Sequence, residues 1–176
     1  MTRARDVRPL PTEYASWYSA YIARVPDGDI VTRLQQAGEE LTAALAAIPD
    51  DKGDHSYAEG KWSVRTLIGH MIDAERIFAY RALRIARGDS TPLPGFEEDE
   101  YARTAGSEAR SIAGLASEMR AVRESTVRLF ESLPDAAWTR SGTVSNAQVS
   151  LRALAWITAG HAMHHLTVLE ERYGVM

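Results

Sequence analysis

The sequence predicts an all-α fold, a four-helix bundle. Apolar residues recur at steps of three and four in three long segments, and a fourth long segment near the C-terminus is apolar with a helical pattern. A proline or glycine follows each of the first three segments, and no segment has a convincing strand pattern. The chain has 176 residues, 45% of them apolar and 25% charged, which is ordinary for a globular protein. We therefore expect residues 1–176 to form a single domain.

The N-terminal region precedes the bundle. Residues 1–12 are polar and contain two prolines, so they predict an irregular arm. Residues 13–24 predict a short helix whose aromatic side chains, Trp17, Tyr18 and Tyr21, pack on the body of the protein. These aromatics fit core or dimer packing better than a binding platform.

Four segments predict the long helices. They span about 30–48, from Ser63 to near Gly88, about 107–133, and from 151 to about 172. The third keeps its apolar spacing over three heptads, which is typical of bundle packing. Between the third and fourth, residues 134–150 predict a turn of helix followed by either a hairpin or coil.

The connection between the second and third helices suggests the topology. It is about 19 residues long, and an extended chain at about 3.3 Å per residue can span a bundle. This long crossover predicts an up-down-down-up order, in which the second and fourth helices are antiparallel. His70 and His165 then both lie roughly 10 Å from the same end of the bundle, at about 1.5 Å per residue.

Three histidines on these two helices predict a metal site. His161 and His165 are four residues apart and share one helix face, so both imidazoles can reach one ion. His70 brings the number of protein ligands to three, which leaves an open position as in catalytic zinc sites. Imidazole ligands suit Zn, Ni, Cu or Fe. A water, a substrate oxygen or a thiolate would take the open position.

Other interpretations of these histidines stay open. A pair made by His161 and His164 is also geometrically possible, although the 161/165 pair is preferred, with His164 packing between helices or supporting a ligand. Asp73, one turn after His70, either orients a ligand imidazole or pairs with a nearby arginine such as Arg76. The histidines could also be ordinary hydrogen-bonded core residues.

The acidic run in the long connection has two interpretations. Glu97, Glu98, Asp99 and Glu100 follow one another, and such a run is usually a solvated loop. Its functional interpretation is a lid that supplies a carboxylate near the metal, because long connections are often functional.

Composition excludes several classes of protein. Without cysteine there is no disulfide, thiolate chemistry or cysteine-based metal site. The net charge of −4 and the lack of a basic block argue against nucleic-acid binding and anionic membranes. No apolar run approaches the ~20 residues of a membrane span, and the N-terminus lacks a signal peptide's apolar segment. We expect a cytoplasmic protein.

Three stretches together resemble a known family. They are KWSVRTLIGHMIDAER, RIARGDSTPLPGFEEDEYA and SLRALAWITAGHAMHHLTVLEERY. In this order they resemble the DinB-like (YfiT/DinB) superfamily of bacterial four-helix-bundle proteins, over about residues 28–173. The matching marks are Trp62 and Ser63 followed by His70, and the C-terminal histidine motif with His161 and His165.

The resemblance implies an up-down-down-up bundle that binds zinc or nickel through His70, His161 and His165, and frequent homodimers. It also implies either a thiol S-transferase, in which the metal activates a low-molecular-weight thiol, or a hydrolase acting on a small molecule. The alternative is a non-catalytic metal- or ligand-binding stress-response module. A cavity beside the histidines would favour an enzyme over this alternative.

Overall fold

A computed structural model describes residues 3–176, so residues 1 and 2 of the predicted arm lie outside it. The chain is mostly helical. Its helices are α1 (Ser19–Arg24), α2 (Ile30–Ala47), α3 (Val64–Ala86), α4 (Glu98–Thr104), α5 (Ile112–Glu131) and α6 (Leu151–Val168), and its strands are β1 (Ser141–Val144) and β2 (Ala147–Ser150). The four long helices, α2, α3, α5 and α6, correspond to the four predicted segments. Each of α2 and α3 packs against both α5 and α6, and the short α1 packs on α6.

Side-chain caps fix where the long helices begin. The residue before each long helix accepts a hydrogen bond, through a side-chain oxygen, from a backbone N–H of the first turn. These residues are Asp29 before α2, Ser63 before α3, Ser111 before α5 and Ser150 before α6. Such bonds satisfy amides that have no partner within the helix. Gly88, with φ of 76°, follows α3 in the left-handed conformation, as its predicted role at the helix end requires.

The structure adds one helix to the sequence prediction and decides between two predicted alternatives. The long connection contains α4, and the segment before α6 forms an antiparallel hairpin, which resolves the choice between hairpin and coil. Ser145 and Asn146 form its two-residue turn with φ of 49° and 62°, the pattern of a type I′ turn. Leu93 of the connection pairs with Val144, so the hairpin holds the start of the crossover.

Hydrogen bonds join the ends of the long helices. Asp50, just after α2, accepts from the Ile112 amide at the start of α5, with 2.7 Å between the two atoms. Asp50 also pairs with Arg65 in the first turn of α3, at 2.9 Å. At the opposite end, Arg140 donates to the Ala86 carbonyl at the end of α3. No helix in the described part of the chain is long and apolar enough to cross a membrane.

A buried ion pair lies between α5 and α3. The Arg123 guanidinium donates to both carboxylate oxygens of Glu75, at 2.6 and 2.7 Å, and to the Leu34 carbonyl of α2 at 3.0 Å. Both charged side chains are 4% exposed. Three of the long helices are therefore joined through one guanidinium, a feature absent from the sequence prediction.

Gly160 allows α1 to lie directly on α6. A Cβ atom at this position would lie 2.0 Å from the Tyr21 carbonyl oxygen, which belongs to the backbone and cannot rotate away. We expect Gly160→Ala to lower the free energy of unfolding by about 2–3 kcal/mol, because α1 must shift. Urea denaturation measures this loss. The control is Gly114→Ala in α5, where the nearest atom is a serine hydroxyl at 3.1 Å, and a change below about 1 kcal/mol is expected. Equal changes in the two variants would contradict this account.

Candidate metal centre

Helices α3 and α6 bring the three predicted histidines together. His70 lies in the second turn of α3, and His161 and His165 lie one turn apart near the end of α6. The Nε2 atom of His161 is 3.2 Å from that of His70 and 3.1 Å from that of His165. One ligand nitrogen from each residue lies within 4.8 Å of the other two. The three imidazoles thus converge on one point through their Nε2 atoms.

This convergence fits a metal better than a set of hydrogen bonds. The lone pair of a neutral imidazole nitrogen accepts one hydrogen bond, yet two other Nε2 atoms face His161 Nε2. A tetrahedral ion with Zn–N bonds of 2.0–2.1 Å holds its ligand nitrogens about 3.3 Å apart. The separations of 3.1 and 3.2 Å are close to that value. The donor set therefore suits one divalent ion.

Burial keeps the imidazoles neutral. His70, His161 and His165 are 5%, 6% and 8% exposed. Burial lowers the pKa of His70 to about 4, although the Asp99 carboxylate acts in the opposite direction. Burial, and then the neighbouring imidazoles, lower the pKa values of His161 and His165 well below the usual range. Neutral imidazole is the form that binds a metal, so protons compete weakly at neutral pH.

Aromatic rings surround the three imidazoles. The ring centroid of Trp62 lies 4.8 Å from that of His70, and the rings of Phe78 and Tyr21 each lie 5.4 Å from His161. Nδ1 of His165 is buried without a hydrogen-bond partner among residues 3–176. Ring packing, more than hydrogen bonding, therefore orients these ligands.

The two predicted supporting residues lie apart from the convergence point. His164 is half-buried, and its ring packs on Tyr21 and His165, with centroids 5.3 and 4.9 Å apart. Asp73 has no hydrogen bond to an imidazole in the described chain, and one of its oxygens lies 3.9 Å from Arg76. In the structure, His164 therefore packs against neighbouring rings, and Asp73 lies beside Arg76 instead of a ligand imidazole.

The acidic run approaches the histidines through one residue. Glu97 precedes α4, and Glu98 and Asp99 lie in its first turn. Asp99 lines the same cavity as His165 and His164, and its charge acts on the pKa of His70. The acidic run therefore leads into a helix, and Asp99 is its member that lines the cavity beside His165.

A cavity of about 360 Å³ opens beside the histidines. Its walls include Trp62, Leu67, Asp99, His165 and Tyr173. A larger groove of about 570 Å³ lies between α2 and α5, but no histidine lines it. We regard the smaller cavity as the functional one, because its lining combines one candidate ligand, His165, with the Asp99 carboxylate.

The lowered pKa values predict how the metal-free protein responds to pH. An unfolded histidine takes up a proton near pH 6.5, whereas folded His70 resists protonation to about pH 4. The unfolded state therefore binds more protons as the pH falls, and stability is lost. From pH 7.5 to 5, His70 alone should remove on the order of 2 kcal/mol.

Urea denaturation in a chelator, of wild type and of His70→Gln, measures this effect. Glutamine does not titrate, so the variant should lose less stability over the same range. Parallel losses in the two proteins would refute the assignment.

Comparisons with known proteins agree with the site. The sequence profile of the DinB superfamily matches residues 33–169. Two relatives, from Geobacillus thermodenitrificans and Geobacillus kaustophilus, are named as candidate metal-dependent hydrolases. The first is 24% identical over 77% of each chain, and the second is 25% identical over 72% of each chain.

Two solved structures have a similar fold. YfiT from Bacillus subtilis, described as a probable metal-dependent hydrolase with an unusual four-helix bundle topology, superposes with a TM-score of 0.73. The match has 17% identity and covers 97% of this chain and 95% of YfiT. The mycothiol-dependent maleylpyruvate isomerase has a TM-score of 0.68 and 16% identity, over 95% of this chain and 62% of that one. These two matches concern the fold alone. The profile match spans most of the sequence, and the chain therefore belongs to the DinB superfamily.

Proposed function

We propose that this protein is a metal-dependent hydrolase acting on a small molecule. A zinc or nickel ion is held by the Nε2 atoms of His70, His161 and His165. The observation that carries the proposal is the convergence of three neutral imidazoles beside an open cavity. The names of the two Geobacillus relatives support a hydrolase. The cavity favours an enzyme over a non-catalytic binding module, for which no adjoining space is needed.

The ligand set suits catalysis. Three protein ligands leave an open position, and His165 lines the cavity from which a substrate would enter. When bound, the ion supplies Lewis acidity and lowers the pKa of a coordinating water or thiol. Phe78 and Tyr21 pack on His161 and exclude bulk water from the buried side of the site.

Asp99 is the proposed general base. It is the carboxylate that lines the cavity beside His165, and it lies on α4, which packs against α3. A carboxylate oxygen of Asp99 accepts the proton of the attacking group and later returns it to the leaving group. Positioned proton transfer of this kind contributes about 10²–10⁴-fold to a rate.

Asp99→Asn tests this role. Asparagine keeps the shape of the side chain but cannot accept the proton, so we expect turnover to fall at least about 100-fold with metal content unchanged. The measurement is hydrolysis of a panel of small activated esters and amides by the zinc-loaded protein. Glu97→Gln is the matched control, because Glu97 belongs to the same acidic run but does not line the cavity. If zinc-loaded wild type hydrolyses these compounds no faster than the metal-free protein does, the proposed hydrolase activity is overturned.

A thiol S-transferase is the second candidate. The similarity of fold to a mycothiol-dependent enzyme favours it, since that enzyme uses a low-molecular-weight thiol. The test offers zinc-loaded and metal-free protein a thiol together with an electrophile, and compares this with the electrophile alone. Metal-dependent conjugation without hydrolysis would support the transferase, and the reverse result would support the hydrolase.

We also propose the up-down-down-up order for the four long helices. The hydrogen bonds of Asp50 support it, because they join the end of α2 to the starts of both α3 and α5. The bond from Arg140 to Ala86 further supports antiparallel α3 and α6. The long crossover then runs from the end of α3 back to the start of α5.

A further inference from the structure

Two positively charged side chains line the cavity beside the histidines. Lys61, just before Trp62, and Arg172, in the turn after α6, both line it and are both exposed. Neither forms an ion pair with a carboxylate among residues 3–176, although most arginines of this acidic chain do. Asp99 is the one carboxylate in the lining. The cavity therefore has a net positive side-chain charge before any metal is added.

Aromatic side chains form the rest of the wall around these cations. Tyr57, Trp62 and Tyr173 line the cavity. The Arg172 guanidinium lies 5.8 Å from the centre of the Tyr57 ring, close enough for a cation–π contact. The Tyr173 hydroxyl donates to the Trp62 carbonyl at 2.7 Å, which ties the C-terminal turn to the loop that carries Lys61. The two cations are thus held on linked segments that line the same cavity.

The charge of the cavity is opposite to that of the whole protein. The chain carries −4 at neutral pH, whereas Lys61, Arg172 and Asp99 give the cavity lining about +1. A concave site of one sign attracts small ligands of the other sign, and its low-dielectric walls strengthen the effect. A neutral ligand would gain the aromatic contacts but not this electrostatic attraction.

We propose that Lys61 and Arg172 bind the carboxylate of an anionic small molecule whose apolar or aromatic body lies between Trp62 and Tyr173. The hydrophobic body accounts for the aromatic walls, and the carboxylate accounts for the two unpaired cations. The carboxylate site does not depend on the proposed function. Only the placement of the reacting end of the ligand, toward the imidazoles, rests on it. The substrate class is thus a carboxylic acid with a reactive group at its other end.

The test compares 3-phenylpropionate with its neutral isostere 3-phenylpropionamide. Ligand-observed NMR titrations at low ionic strength give both dissociation constants for the metal-free full-length protein. Metal-free protein is used first, because a carboxylate could also bind the ion directly. We expect the carboxylate to bind about five- to tenfold more tightly than the amide, since two partly exposed ion pairs each contribute a few-fold.

Variants identify the source of that preference. Lys61→Gln combined with Arg172→Gln should abolish the preference for the carboxylate, because only the Asp99 charge then remains in the lining. Lys52→Gln combined with Arg120→Gln removes the same charge from exposed positions outside the cavity, and the preference should persist. The inference is overturned if wild type shows no preference or no binding, or if the preference survives in the first double variant. A protein that binds no metal would refute the proposed function, yet these titrations would still decide the carboxylate site.

Discussion

His161→Ala is expected to reduce bound metal from one ion per chain to less than about a tenth. The Nε2 atom of His161 is the shared neighbour of the other two, at 3.2 and 3.1 Å. Without it, only two ligands remain, His70 and His165, and they lie on different helices. Catalytic zinc sites use three protein ligands. Hydrolysis should fall with the metal. The measurement is elemental analysis after equilibration with limiting zinc, with circular dichroism to verify the fold.

Two histidine controls sharpen this prediction. His55→Ala changes an exposed loop residue and should leave the metal content unchanged. His164→Ala distinguishes the two helical pairs that the sequence allows, because His164 packs on Tyr21 outside the convergence point. Loss of metal in His164→Ala but not in His165→Ala would favour the 161/164 pair and contradict the ligand assignment.

Arg123→Ala is expected to destabilise the protein by about 3–5 kcal/mol. The substitution leaves the Glu75 carboxylate buried without its counter-ion, and an uncompensated buried charge is strongly unfavourable. The Leu34 carbonyl also loses its donor. Urea denaturation gives the change in the free energy of unfolding. Arg120→Ala, an exposed arginine on the same helix, should change it by less than about 0.5 kcal/mol.

Removing both charges should restore much of that loss. In Glu75→Leu combined with Arg123→Met, apolar side chains of similar size replace the pair, and such replacements are often neutral or stabilising. The double variant should therefore be more stable than Arg123→Ala. A double variant that is less stable than the single one would show that the pair contributes more than the charge it neutralises.

The long helices and the ligands could be predicted because each has a local pattern. Steps of three and four located α2, α3 and α5, and the predicted start of the second segment, Ser63, caps α3. The expectation that His70 and His165 lie at the same level of the bundle followed from helix length, helix rise and the predicted antiparallel order of the second and fourth helices. His161 and His165 needed only the four-residue spacing to share a face.

Helix α4 was missed, and the hairpin was left open as an alternative to coil, because neither element has such a pattern. Helix α4 is seven residues long and buries only Ala102, so no apolar stripe marks it. The hairpin turn uses Ser145 and Asn146 instead of the Asn-Gly or Asp-Gly pair that signals a type I′ turn. Asp99 could be assigned only as one of several acidic residues, because its selection depends on how α4 packs on α3.

The buried ion pair was missed for a different reason. Arg123 and Glu75 are 48 residues apart, and each is an ordinary charged residue on an otherwise amphipathic helix. Only the packing of α3 against α5 brings them together. The predicted homodimer, likewise a property of surfaces in contact, stays a prediction.

The central claim is that one divalent ion binds between the three Nε2 atoms. An anomalous-difference map from crystals of the zinc-loaded protein, collected on both sides of the zinc absorption edge, tests it most directly. The account predicts one strong peak per chain, about 2.0–2.1 Å from Nε2 of His70, His161 and His165. A zinc peak elsewhere, or no peak between these imidazoles in stoichiometrically loaded protein, would contradict it.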